Sequence, residues 1–164
     1  MILIGMGGNL HSPVFGPPRE TLTAALAAVE HEGISILNRS GWYRSEPFPR
    51  SSQPWFVNAV VSVATGLGAH ELLAVLQTIE TRFGRVRAER NAARILDLDL
   101  LAYHGVVIQT TSLFLPHPRL HERRFVLVPL VEIAPDWRHP LLALTGSELL
   151  AWVSTEQQLD RLPC

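Results

Sequence analysis

From Arg94 to Leu101 the chain reads Arg-Ile-Leu-Asp-Leu-Asp-Leu-Leu, an alternation that a β-strand sorts onto two faces. Leu96, Leu98 and Leu100 then project to one side, and Asp97 and Asp99 to the other. Two neighbouring carboxylates in an apolar strand repel each other and lose hydration, so a cation should offset them. Two exposed acids at a strand end would fit the same spacing, but the flanking leucines place the pair mid-strand. Just upstream, Arg82, Arg85, Arg87, Arg90 and Arg94 face only Glu80 and Glu89 locally. Such a loop is either a solvated basic surface or a phosphate grip, since guanidinium binds phosphate bidentately. Mg²⁺ uses one or two protein carboxylates plus substrate phosphates, and two ions can share such carboxylates. The pattern as a whole suggests Mg²⁺ and a polyphosphate.

Composition narrows this. The net charge of -1 gives no global pull toward nucleic acid or an anionic membrane, so phosphate chemistry must come from local charge. All 14 basic residues are arginine. With no lysine, a Walker A loop, a kinase nucleotide lysine and a Schiff-base lysine are all excluded. Cys164 is the only cysteine, which rules out an intrachain disulfide and a multi-thiolate metal site. A length of 164 residues with 47% hydrophobic content suits one globular domain over residues 1–164. No apolar run approaches the roughly 18 residues needed to span a bilayer. The first residues carry no basic leader, and the cytoplasm is the expected compartment.

The periodicity predicts a strand over Ile2–Met6, ended by turn chemistry at Gly7-Gly8-Asn9. A helix follows near Arg19–Glu32, stopped by Gly33. Strands are expected over Ile34–Tyr43, Phe56–Thr65 and Ile95–Tyr103. A second helix is expected near His70–Phe83, where Leu72, Val75, Leu76, Ile79 and Phe83 form a 3.6-residue stripe. Arg85–Ala93 reads as a mobile basic loop. His104-Gly105 should turn a hairpin into Val106–Ile108. Phe125–Ala134 should be helical despite Pro129, and Ser147–Val153 a last helix with Ser147 as N-cap. Strand-helix-strand-strand-helix-strand is the α+β, ferredoxin-like βαββαβ order, here an antiparallel sheet with helices packed on it and a C-terminal hairpin and helical extension. The segment after Pro140 reads as packing.

Three further positions carry chemistry. Asn58 sits in an apolar strand, and a buried amide needs partners. Those partners are either backbone or the edge of a heterocycle. Phe56, two residues earlier, shares its face and could stack on a flat ring. His117 lies between Pro116 and Pro118 and ahead of Arg123, where a structural and a functional role are equally open. Gly7-Gly8 is weak evidence, because no G-x-G-x-x-G opens a helix and a Rossmann reading fails.

In order along the chain, Gly7-Gly8-Asn9-Leu10, Tyr43-Arg44-Ser45-Glu46-Pro47, Gln53-Pro54-Trp55-Phe56-Val57-Asn58-Ala59, Ile79-Glu80, Gly84-Arg85, Arg94-Ile95-Leu96-Asp97-Leu98-Asp99, Leu115-Pro116-His117-Pro118 and Arg123-x-Phe125-Val126-Leu127-x-Pro129-Leu130 resemble the motifs of one family. It is 6-hydroxymethyl-7,8-dihydropterin pyrophosphokinase, of folate biosynthesis, and the likeness runs from the first strand to about Pro135. The resemblance implies transfer of the β,γ-pyrophosphate of ATP to the pterin hydroxymethyl oxygen, with release of AMP. It implies two Mg²⁺ ions on Asp97 and Asp99, with Arg85 and Arg94 as catalytic arginines. It places Gln77, Glu80, Arg85, Arg94, Leu100, His117 and Arg123 at ATP. It places Ser45, Pro47, Phe48, Phe56, Asn58, Asp97 and Phe125 at the pterin. Many family members read Arg-Trp-Gly-Pro-Arg where this chain has Arg90-Asn91-Ala92-Ala93-Arg94, so the loop is one residue shorter and lacks a sealing tryptophan. The partners expected are these two small molecules, with no nucleic acid or membrane, and the protein is expected to be a monomer.

Two other readings compete. Palm-type nucleotidyltransferases also set paired aspartates on a ferredoxin-like sheet, but they release pyrophosphate and leave AMP on the acceptor. An RNA-binding module of the same topology would need aromatics along the middle strands, and Phe56–Ala64 has no such run.

Overall fold

The computed structural model describes residues 1–85 and 92–164. Arg87, Arg90 and Asn91 lie outside the described residues. Five strands and two helices make the core: β1 (Ile2–Gly8), α1 (Pro18–His31), β2 (Ser35–Arg39), β3 (Tyr43–Ser45), β4 (Phe56–Ala64), α2 (Ala69–Arg82) and β5 (Asp97–Tyr103). A short ribbon of β6 (Ile108–Gln109) and β7 (Phe114–Leu115) follows. Next come a 3-10 turn (Leu120–Glu122), α3 (Arg124–Ile133), α4 (Gly146–Leu150) and β8 (Leu159–Arg161). The large sheet runs β5-β1-β4-β3-β8, with β2 also on β4, and every pairing is antiparallel. The expected ferredoxin-like core is therefore present. Among the described residues no helix is long and apolar enough to cross a membrane.

Each sheet face buries its own core. Ile2, Ile4, Met6, Val61, Leu98 and Leu100 pack under α1 and α2, which contribute Leu22, Ala25, Leu72, Leu76 and Ile79. On the other face Leu3, Val60 and Leu101 pack against Val126, Leu127 and Leu130 of α3. The register between β1 and β5 slips after Leu3. That bulge puts Leu101 and Ala102 in one core and sends Tyr103 to the other, where its hydroxyl donates to the Leu67 carbonyl at 2.7 Å.

Several boundaries differ from expectation for identifiable reasons. β1 continues through Gly7 and Gly8, which pair with Asn58 and Val57 of β4. The strand expected over Ile34–Tyr43 is broken in two. At the break, Ser40 exchanges backbone and hydroxyl hydrogen bonds with Val60, and a Cβ on Gly41 would stand 2.8 Å from the Arg161 guanidinium. His104 and Gly105 do form a turn with positive φ at both. The strand after it starts only at Ile108 and pairs with β7 rather than β5. α4 is capped by Thr145, not Ser147: Thr145 Oγ accepts from the Glu148 amide and the Glu148 carboxylate accepts from the Thr145 amide. β8 was not expected at all, and it makes the segment after Pro140 part of the sheet.

Candidate active site

β5 presents the two aspartates on the α3 side of the sheet, opposite Gly5 and Gly7 of β1. Those glycines keep the floor open: a Cβ on Gly7 would lie 2.8 Å from Asn58 Oδ1, and one on Gly5 3.3 Å from Leu101. Asp97 is neutralised from two directions. Arg85 donates to its Oδ1 at 2.8 Å and Arg94 to its Oδ2 at 3.2 Å. Arg85 also pairs closely with Glu80, whose carboxylate accepts from the Leu98 amide at 2.9 Å. Asp99 makes no hydrogen bond or ion pair among the described residues. Burial first, then the Asp97 charge, pushes its carboxyl well above the usual range, against Arg123 and Arg85. Burial likewise raises Glu80, only partly offset by the Leu98 amide and Arg85.

Two clefts meet at Asp99. The first, about 700 Å³ including its open mouth, is lined by Ser45, Pro47, Phe48, Phe56, Asn58, Asp97, Asp99 and Phe125. Phe56 and Asn58 share a face as the strand period requires, and Asn58 Nδ2 donates to Ser45 Oγ at 2.6 Å. The second, about 720 Å³ counted the same way, is lined by Gln77, Glu80, Arg85, Leu100, His117 and again Asp99. All the residues expected on the pterin side are thus together, and five of the seven expected at ATP share the other cleft. Arg94 and Arg123 line the first cleft, beside the aspartates. His117 Nδ1 accepts from the Arg119 amide at 3.1 Å, which assigns the ring hydrogen to Nε2. Burial, reinforced by the Arg123 charge, lowers its pKa to about 4 and keeps the ring neutral.

Asn9, a turn residue and part of the Gly7-Gly8-Asn9-Leu10 motif in the sequence, has a further role at the site. Asn9 is buried, and its Nδ2 donates to Gln53 Oε1 at 2.8 Å and to the Pro54 carbonyl at 2.9 Å. Its Oδ1 accepts from the Arg94 amide at 2.9 Å. Asn9 therefore ties the loop before β4 to the arginine that faces Asp97. An asparagine directly after two strand glycines was the available signal.

The donor chemistry fits Mg²⁺. Asp99 is a carboxylate with no hydrogen-bond or ion-pair partner among the described residues, set beside a second one in a floor cleared by glycine, and a hard cation with phosphate oxygens completes such a set. Paired carboxylates, facing arginines and a cleft on each side define an enzyme that moves a phosphoryl-type group between two small molecules.

The chain belongs to the 7,8-dihydro-6-hydroxymethylpterin-pyrophosphokinase family, whose model matches residues 3–135. Three relatives, each called a 2-amino-4-hydroxy-6-hydroxymethyldihydropteridine pyrophosphokinase, illustrate the likeness. The Synechocystis protein is 40% identical over 152 residues, 92% of this chain and 75% of its own. That of Methylorubrum extorquens is 48% identical over 138 residues, 81% and 82% respectively. That of Haemophilus influenzae is 41% identical over 148 residues, 90% and 86%.

Proposed function

We propose that this chain transfers the β,γ-pyrophosphate of ATP to the hydroxymethyl oxygen of 6-hydroxymethyl-7,8-dihydropterin, releasing AMP, as a step of folate biosynthesis. The observation that supports it most is Asp99 standing where the two clefts meet, so that molecules held in each could share the aspartates. The family weighs against the nucleotidyltransferase alternative.

In this reading the pterin ring lies in the first cleft, between Phe56 and Phe125, with its polar edge on Asn58 and Ser45. Phe48 and Pro47 close the rim. ATP occupies the second cleft beside Gln77 and Leu100. The neutral His117 donates from Nε2 to a phosphate oxygen. Two Mg²⁺ ions, held by Asp97 and Asp99 with phosphate oxygens, would neutralise charge on the polyphosphate. Arg85 and Arg94 take the charge that gathers on the oxygen bridging the α- and β-phosphorus. The pterin hydroxyl gives up its proton to water as its oxygen bonds to the β-phosphorus, the bond from that phosphorus to the bridging oxygen breaks, and AMP leaves. A loose transition state asks for in-line placement and little general-base help. Glu80 acts from behind, fixing Arg85 and the Leu98 amide.

The chain is taken to work as a single domain and a monomer in the cytoplasm, on small molecules and not on nucleic acid or membrane. Light scattering at working concentration checks the monomer. The deciding assay mixes purified protein, Mg²⁺, ATP and the pterin. AMP and pterin pyrophosphate should appear in equal amounts. Release of ADP or of free pyrophosphate, or turnover that ignores the pterin, would overturn the proposal.

A further inference from the structure

Residues 157–161 lie past the family span, which ends at residue 135, and they bond to both walls of the first cleft. Gln157 is buried. Its Oε1 accepts from the Arg124 amide at 2.9 Å, and its Nε2 donates to the Glu122 carbonyl at 3.0 Å. Its own carbonyl accepts from the Arg124 guanidinium at 3.0 Å. These bonds hold the turn where α3 begins, and that turn presents Arg123 and Phe125 to the cleft.

The chain then crosses to the opposite wall. The Gln158 carbonyl accepts from the Glu46 amide at 3.3 Å, and β8 pairs with β3 so that Leu159 faces Ser45 and Arg161 faces Tyr43. Ser45, Glu46 and Pro47 line the cleft on this side. Arg161 closes the circuit by approaching Glu132 of α3 at 3.5 Å. The same Glu132 carboxylate accepts from the Tyr43 hydroxyl at 2.6 Å and the Gly41 amide at 2.7 Å. Burial, with this acceptor beside it, pushes the Tyr43 phenol up to about 12, so it remains a donor.

We propose that residues 157–161 form a strap that sets the spacing between the two walls of the pterin cleft, with Gln157 as its positioning residue. The proposal rests on reading that cleft as the pterin site. A flat ring gains from stacking only when both faces are met at contact distance. A wall free to drift must be ordered when the ring binds, and that entropy is lost from the ring's affinity. None of the residues that the strap bonds to lines the second cleft, so ATP should be indifferent to it.

The test uses the full chain as wild type, Gln157→Ala and Gln157→Glu. The pterin is titrated by its fluorescence, with and without a non-hydrolysable ATP analogue, and the analogue is titrated separately. Gln157→Ala should weaken pterin binding about tenfold, the usual scale for a buried hydrogen-bonded group left without its partners. Analogue binding should stay within about twofold, and the pterin KM should rise more than kcat falls. Gln157→Glu keeps an acceptor for the Arg124 amide but has no donor for the Glu122 carbonyl, so it should fall between. If both affinities drop together, or pterin affinity holds while Tm falls, the strap is packing alone and the proposal fails. Should Gln157→Ala not fold, the same selectivity in Gln157→Glu decides. Wild-type protein that binds no pterin would bring down the reading of the cleft as well, whereas wild-type binding with unaffected variants brings down the strap alone.

Discussion

The cleft on the α3 side sets aromatic and proline side chains around a few polar groups already bonded to one another, whereas the cleft on the α2 side mixes leucines with a cluster of charged groups. In the first, Asn58 holds Ser45 and Asn9 holds the Gln53-Pro54 loop. In the second, Leu73, Leu100 and Leu113 line the cleft together with Glu80, Arg85 and Asp99. A rigid heterocycle is read by donors and acceptors fixed in advance, because any freedom left in them is lost on binding. A polyphosphate is read by charge, which acts over longer distances and needs less exact direction. The two halves of the site therefore differ in how each would fail when altered.

The largest effects should come where the clefts meet. Asp97→Ala and Asp99→Ala should each lower turnover by about 10³-fold or more while circular dichroism stays native, since in the proposed reading they hold the metal and phosphate. Asp99→Asn should be as inactive yet melt no lower than wild type, because it removes a buried carboxyl that no described residue pairs with. Next comes Arg94→Ala, expected to cost about 10²-fold in kcat while ATP affinity changes by about threefold or less, as for a donor aimed at developing charge. Pre-steady-state kinetics separates the two.

The contrast between clefts is sharpened by a reciprocal pair. Asn58→Ala should raise the pterin KM about tenfold and leave that for ATP alone, and Gln77→Ala should do the opposite by several-fold, on the scale of single hydrogen bonds. Equal effects on both substrates would erase the distinction. The last effect is on stability and not on turnover. His117 titrates at about 4 in the folded protein against 6.5 when exposed, so the unfolded chain takes up the proton first as pH falls. The share of stability that His117 contributes is full above pH 6.5 and is lost toward pH 4. Relative to His117→Gln, wild type should lose up to about 3 kcal/mol across that window, measured by urea melts at several pH values.

Much of the fold was legible because periodicity is local. The leucine–aspartate alternation announced β5 and its faces, the leucine stripe announced α2, and both appear within two residues of expectation. The break at Gly41, the Thr145 cap and β8 were not legible in the same way. Each depends on a partner that periodicity does not indicate, such as the Arg161 guanidinium that occupies the space a Cβ at Gly41 would need. The candidate site shows the same division. Its motif residues, Asn9 among them, could be named from the chain, but Asn9 and Gln157 act through partners 85 and 33 positions away, and no spacing rule identifies those partners.

By itself the sequence determined which side chains carry charge, which face of each strand they occupy, and which nucleotide chemistries the absence of lysine excludes. These follow from residue type and from the two-residue and 3.6-residue repeats of the backbone. Only the tertiary structure decided that Asp99 lies where two clefts meet, that no described residue pairs with it while Asp97 has two arginines, and that a C-terminal strand bonds to both walls of one cleft. Those features arise from hydrogen bonds and burial between distant segments, which exist only once the sheet has closed.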